Sequence, residues 1–343
     1  RKLIREEQSK ITDEQLFSSQ QFSAYMTDIV ETATKRYRRR SKVKMHWDPF
    51  SNSDVAHTDN RLIHINAANF LTRSFPTRSL QADSIIGLAG HEAGHILFTD
   101  FTMLQIHMQA LEAGSFYPAE PGNLTMLQSL SLQQIKNYFE EKDEAVIQAI
   151  RLVTHSLVNT MEDLYIEARM MDAFPGSFKT GILLNNLRFS EDIPSVTDEI
   201  AEGHHEVFII INLLIQYAKS GDLNNADGYK GKYLDTLYEC IPFLDDAAYD
   251  EDAKARYQAA NQMLVLLWPY MPSLIEQVRE DLKNKTHHAA QAAEEQLATP
   301  PKTLSGTSKP VPSKTPYNHT PSSEDEERER LQSALDYETG RIA

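Results

Sequence analysis

Cysteine is almost missing from this 343-residue sequence. Cys240 stands alone, so no internal disulfide and no thiolate zinc cluster can form, and a reducing compartment, by default the cytoplasm, is expected. A long apolar run is missing as well: the longest, Val207 to Ile215, falls short of the roughly 20 residues that cross a bilayer, and a soluble chain is expected. The first residues do not read as a secretory signal, because the basic Arg1-Lys2-Leu3-Ile4-Arg5 is followed by Glu6, Glu7, Gln8 and Ser9 rather than by an apolar stretch. Positive charge is in deficit, 34 Lys and Arg against 49 Asp and Glu for a formal charge of -15. Such a surface repels phosphate backbones and argues against general nucleic-acid binding. One block runs against the balance: Lys35, Arg36, Arg38, Arg39, Arg40, Lys42 and Lys44 cluster near the end of an expected helix. Cations there complement the helix dipole, and the block reads as a solvated helix end before it reads as a binding patch.

What is present is enough to fold. The apolar fraction of 41% is ordinary for a globular chain. Thr12-Asp13 followed by Leu16, Phe17, Phe22, Tyr25, Met26, Ile29 and Val30 has helical spacing and an N-cap, which predicts one long opening helix. Lys42 to Trp47 and Arg61 to Asn66 alternate polar and apolar residues and predict two strands of a small sheet. Beyond Pro76 the spacing predicts helices almost throughout: one through His95, then Thr102 to Leu111, Leu124 to Phe139, Asp143 to Ala173, Glu206 to Lys219 and Ala253 to Leu282. After about Ala298, Pro, Ser, Thr and Lys dominate, then the charged run Glu324 to Arg330 follows. Such a composition cannot bury enough apolar surface to offset its ordering entropy. The expected organisation is a mainly helical α+β domain over residues 1–297, with a helical extension from about 180, and a disordered linker over 298–343.

One motif carries chemistry. His91-Glu92-Ala93-Gly94-His95 lies in the strongly apolar helix after Pro76. Residues four apart on a helix lie one above the other, so His91 and His95 aim two imidazoles at one point, a geometry that suits Zn2+. Glu92 sits beside the open coordination position, where it can act as general base toward a metal-activated water. Gly94 costs a helix about 1 kcal/mol relative to Ala. That makes sense if another backbone or a ligand approaches closely there.

A catalytic zinc commonly has three protein ligands plus water. Phe101 occupies the position where a compact motif would need a third histidine, so the third ligand must come from elsewhere. The acidic turn Asn159-Thr160-Met161-Glu162-Asp163-Leu164-Tyr165-Ile166-Glu167 is the best source, with His155, Asn159 and Glu162 on one stripe. Glu162 is the first choice for the ligand, and Asp163 either the alternative ligand or a group that holds a histidine ring. The bland alternative is a solvated face in which Glu162, Asp163 and Glu167 pair with Arg169. His155, Tyr165 or Arg169 could stabilise an oxyanion. Asp100 reads as the cap of the next helix, and His204 and His205 as surface residues.

The two motifs together, His91 to Asp100 and Asn159 to Glu167, resemble the gluzincin-like metallopeptidase region of bacterial and phage proteins related to the cobaltochelatase subunit CobT. The two motifs cover well under a tenth of the chain. It implies a zincin-like fold, peptide-bond hydrolysis, and a MoxR-type AAA+ ATPase as partner. In that family the region commonly precedes a linker and a von Willebrand factor A domain; the stretch after Ala298 fits the linker, and the A domain is not among these residues. The alternative expectation is a non-catalytic, zinc-stabilised interaction module serving such an ATPase.

Overall fold

The computed structural model describes residues 10–51 and 54–297, the last of these (285–297) through their backbone only. The expected linker, 298–343, lies outside the described residues. Thr12 opens α1 (Asp13–Phe17) with a capping box, its hydroxyl accepting from the Gln15 N–H while the Gln15 side chain accepts from the Thr12 N–H. The single long helix expected here is two helices. Ser19 caps α2 (Gln20–Lys35) by accepting from the Phe22 N–H, so a serine inside a periodic run restarts the helix by satisfying one of its orphan donors.

The two expected strands form as β1 (Lys42–His46) and β3 (Leu62–Asn66), which pair in parallel. A third, β2 (Ala56–Thr58), is too short to show alternation and runs antiparallel to β3 at the other edge. Val43, Ala56, Ile63 and Ile65 are buried on one face of the sheet, as a side-chain period of two requires. Lys42, Lys44 and His64 stand on the other.

A short α3 (Phe70–Arg73) leads to α4 (Arg78–Phe98), capped by Thr77 and carrying the histidine motif. From Ser84 to Ile96 nearly every α4 residue is buried, because the sheet and α2 cover one side and two later helices the other. Then come α5 (Phe101–Glu112), α6 (Met126–Glu141) and the 30-residue α7 (Glu144–Ala173). The first half of α7 belongs to a second apolar core, built with α5, α6 and helices further along, while Met170 near its end belongs to the core of the sheet and α4. One helix therefore spans both cores and carries its acidic turn to α4.

Sequence periodicity misses α8 (Lys179–Glu191), α9 (Val196–Glu202) and α11 (Lys232–Ala248). α8 is diluted by Gly181, Asn185 and Asn186, and α11 contains Pro242. α10 (Glu206–Ser220) falls where expected. The single helix expected over Ala253 to Leu282 is broken by a 3-10 turn at Trp268–Tyr270 into α12 (Ala253–Leu267) and α13 (Pro272–Leu297). Pro269 and Pro272 lack the N–H that a continuous helix would use. Two glycines set the helix crossings: a Cβ on Gly87 would lie 2.2 Å from the Gly181 carbonyl carbon, and one on Gly94 would lie 3.0 Å from Met170 Cγ and 3.2 Å from Ile166 Cβ. α8 thus passes α4 backbone to backbone, and α7 presses close at Gly94. No helix among the described residues is long and apolar enough to cross a membrane.

Candidate metal centre

His91 and His95 project from consecutive turns of α4, and Asp163 reaches them from α7. The three offer ligand atoms that all lie within 4.8 Å of one another. His91 Nε2 and His95 Nε2 are 3.2 Å apart, and Asp163 Oδ1 is 3.4 Å from His95 Nε2 and 3.7 Å from His91 Nε2. Tetrahedral zinc with bonds of about 2.0–2.1 Å places its ligand atoms about 3.3–3.4 Å apart, so the triangle has the size the ion needs.

The outer ring atoms are also held. A carboxylate only accepts, so the His91 Nδ1–H donates to Glu167 Oε1, 2.8 Å away, which leaves the Nε2 lone pair facing the triangle. His95 Nδ1 lies 3.0 Å from Thr99 Oγ1, one turn further along. Glu167 Oε1 also accepts from Lys219 Nζ at 2.9 Å, and its Oε2 from Asn186 Nδ2 at 2.6 Å. Lys219 Nζ lies 3.5 Å from the second oxygen of Asp163. Two imidazole nitrogens and a carboxylate oxygen converging this closely present lone pairs to one point, and a cation or a shared proton must relieve them. The residues present therefore fit a divalent metal of the zinc kind.

The electrostatics agree. Burial opposes a charged His91, yet the carboxylates of Asp163, Glu167 and Glu92 outweigh it and hold its pKa above the usual imidazole value. Burial also pushes Asp163 and Glu167 up, but Lys219 and the neighbouring histidines hold both below the ordinary carboxylate range. Lys219 stays charged in turn: burial opposes it, and Glu167 and Asp163 raise its pKa. Access differs among the ligands, since the His95 side chain is 15% exposed against 6% for His91 and 9% for Asp163. The centre opens on the His95 side.

The structure brings Asp163 to the histidines and sends Glu162 elsewhere. Adjacent helical residues point about 100° apart, and here the two carboxylates go to different partners. Glu162 Oε2 accepts from Arg256 Nε at 2.6 Å on α12, and the Arg256 guanidinium covers the Tyr165 ring at 4.1 Å. Glu162, Tyr165 and Arg256 are all buried. Tyr165 thus stands with that ion pair, and His155 lies near His107, outside the ligand group. A solvated acidic face is also excluded, because Glu162, Asp163 and Glu167 are buried and Arg169 pairs with Glu251. Asp100 caps α5 as expected, accepting from the Met103 N–H. His204 is half-buried between Glu199 and Glu202 rather than on the surface, and His205 contacts Ser273 Oγ at 3.0 Å.

Sequence reasoning misses Glu167 as partner of His91, and misses Lys219, Asn186 and Thr99 altogether. The Glu167 signal was there: Asp163 and Glu167 repeat on α7 the four-residue spacing of His91 and His95 on α4. Lys219 leaves no such trace, since a lysine in a last helical turn ordinarily serves the dipole. Comparison with protein-family profiles, with curated proteins and with solved structures finds no match in any of the three.

Proposed function

We propose that this chain is a zinc-dependent metallopeptidase of zincin-like architecture. The observation that carries the reading is the convergence of His91 Nε2, His95 Nε2 and Asp163 Oδ1 at 3.2–3.7 Å on a helix where Glu92 immediately follows the first ligand. Three protein ligands with one side open is the arrangement of a catalytic rather than a sealed structural zinc, and the exposure of His95 supports access. Zinc, when bound, supplies a Lewis acid that polarises a carbonyl and lowers the pKa of a coordinated water toward about 7.

The chain's own residues do the rest. Glu167 and Thr99 orient the two imidazoles, as groups behind metal ligands commonly do. Glu92 is buried, and its charge is felt at His91; among the described residues no hydrogen-bond donor is paired with its carboxylate. It is free to take a proton from water and return it to the leaving amine. The kinship with CobT-related proteins and the MoxR-type ATPase partner belong to the same proposal and are supported by the two sequence motifs alone.

The test is Glu92→Gln, assayed with a quenched-fluorescence peptide library. The variant is expected to keep its zinc and to lose activity by about 10²–10⁴-fold, the usual contribution of a positioned general base. A variant that keeps zinc and cleaves as fast as the parent removes Glu92 from the reaction.

A further inference from the structure

Lys219 has no place in the reading so far, yet it is buried against the centre. Its side chain is 5% exposed, and a buried ammonium is costly unless it is paired. It sits in the last turn of α10, where a lysine could reach solvent; instead Nζ lies 2.9 Å from Glu167 Oε1 and 3.5 Å from Asp163 Oδ2. The other Asp163 oxygen is the one that faces the two Nε2 atoms. Formal charges give the ammonium a second purpose: Glu92, Asp163 and Glu167 carry three negative charges, which a divalent ion and Lys219 together balance.

We propose that Lys219 is a positioning residue that engages the outer oxygen of Asp163, makes this carboxylate a one-oxygen ligand and so keeps the fourth coordination position open. The inference rests on the metallopeptidase reading. Without the ammonium, both oxygens of Asp163 are free to turn toward the ion, and the second adds a fifth ligand atom beside the water and crowds the position that substrate needs.

The test uses the full chain, loaded separately with zinc for affinity by chelator competition and with cobalt for its visible spectrum. Lys219→Met is expected to lower zinc affinity about 10–100-fold, the range for groups behind metal ligands, and to weaken the four-coordinate cobalt bands as a fifth ligand atom enters. Lys219→Ala is expected to behave alike and to recover the parental spectrum when ethylammonium is added, a readout that packing alone does not move. A folded Met variant with parental affinity and spectrum overturns the proposal, as does an Ala variant whose altered spectrum ignores ethylammonium. A parent chain that binds neither metal overturns instead the reading beneath it, and the two failures are told apart by the parent's own titration.

Discussion

Glu162 and Asp163 are neighbours in sequence with opposite duties, and a paired substitution separates them. Asp163→Asn replaces a charged ligand oxygen by a neutral amide oxygen, so zinc affinity is expected to fall by more than the roughly 100-fold upper range for residues that only orient ligands, while the metal-free fold keeps the Glu167 partner of Lys219. Glu162→Gln leaves the metal triangle intact and removes the opposite charge from Arg256, whose side chain is 1% exposed and whose Nε donates to Glu162 at 2.6 Å while Nη1 donates to the Asp250 carbonyl. Breaking a buried pair by removing one partner costs about 3–5 kcal/mol, a large share of the roughly 5–15 kcal/mol that holds a domain together. At about 2 °C per kcal/mol for a chain of this size, the melting temperature is expected to drop by about 6–10 °C. Zinc titration and thermal unfolding on the two variants read the two effects independently. If Glu162→Gln abolishes zinc binding while Asp163→Asn leaves it intact, the assignment of the two carboxylates is refuted.

Three further outcomes are expected. Glu167→Gln weakens the hydrogen bond to His91 Nδ1 and lowers zinc affinity about 10–100-fold, which chelator competition measures. Gly87→Ala places a Cβ 2.2 Å from a backbone carbon of Gly181 and is expected to cost about 3 kcal/mol or more by overpacking, whereas Gly94→Ala, which meets movable side chains at 3.0 Å and beyond, costs less; urea denaturation ranks them. His107 is wholly buried, with Nδ1 on the Tyr117 carbonyl, and burial pushes its pKa down to about 4. Its unfolded pKa is about 6.5, so below that pH the unfolded chain binds a proton that the folded chain refuses, and stability is lost as pH falls from about 6.5 to about 4, by about 3 kcal/mol in all. The urea midpoint of His107→Asn is expected to depend less on pH over that window than the parent's, and equal slopes contradict the assignment.

The histidine pair, its spacing and the helix that bears it were readable because helical geometry is local. The two longer strands and most long helices were readable for the same reason. The choice between Glu162 and Asp163 depends on how α7 rolls against α4, and that roll is a tertiary fact. Gly94 held the clue: Ile166 and Met170 press against it, and Asp163, Ile166, Glu167 and Met170 form one stripe of α7. A glycine that admits a close neighbour beside the ligands therefore picks out the stripe bearing Asp163, not the one bearing Glu162 and Tyr165. Lys219 and Asn186 come from helices far along the chain, and no periodicity links them to the motif. Breaks in helices depended on single residues, Ser19 and Pro269 among them, whose capping or missing N–H overrides an apolar pattern that continues across them.

The most direct measurement is metal content by mass spectrometry on protein prepared without a histidine tag or added zinc, with its Asp163→Asn variant beside it. One zinc per parent chain and a small fraction of that in the variant is the predicted result. A parent chain free of metal, unable to take up zinc and unchanged in melting temperature by chelator, contradicts the account.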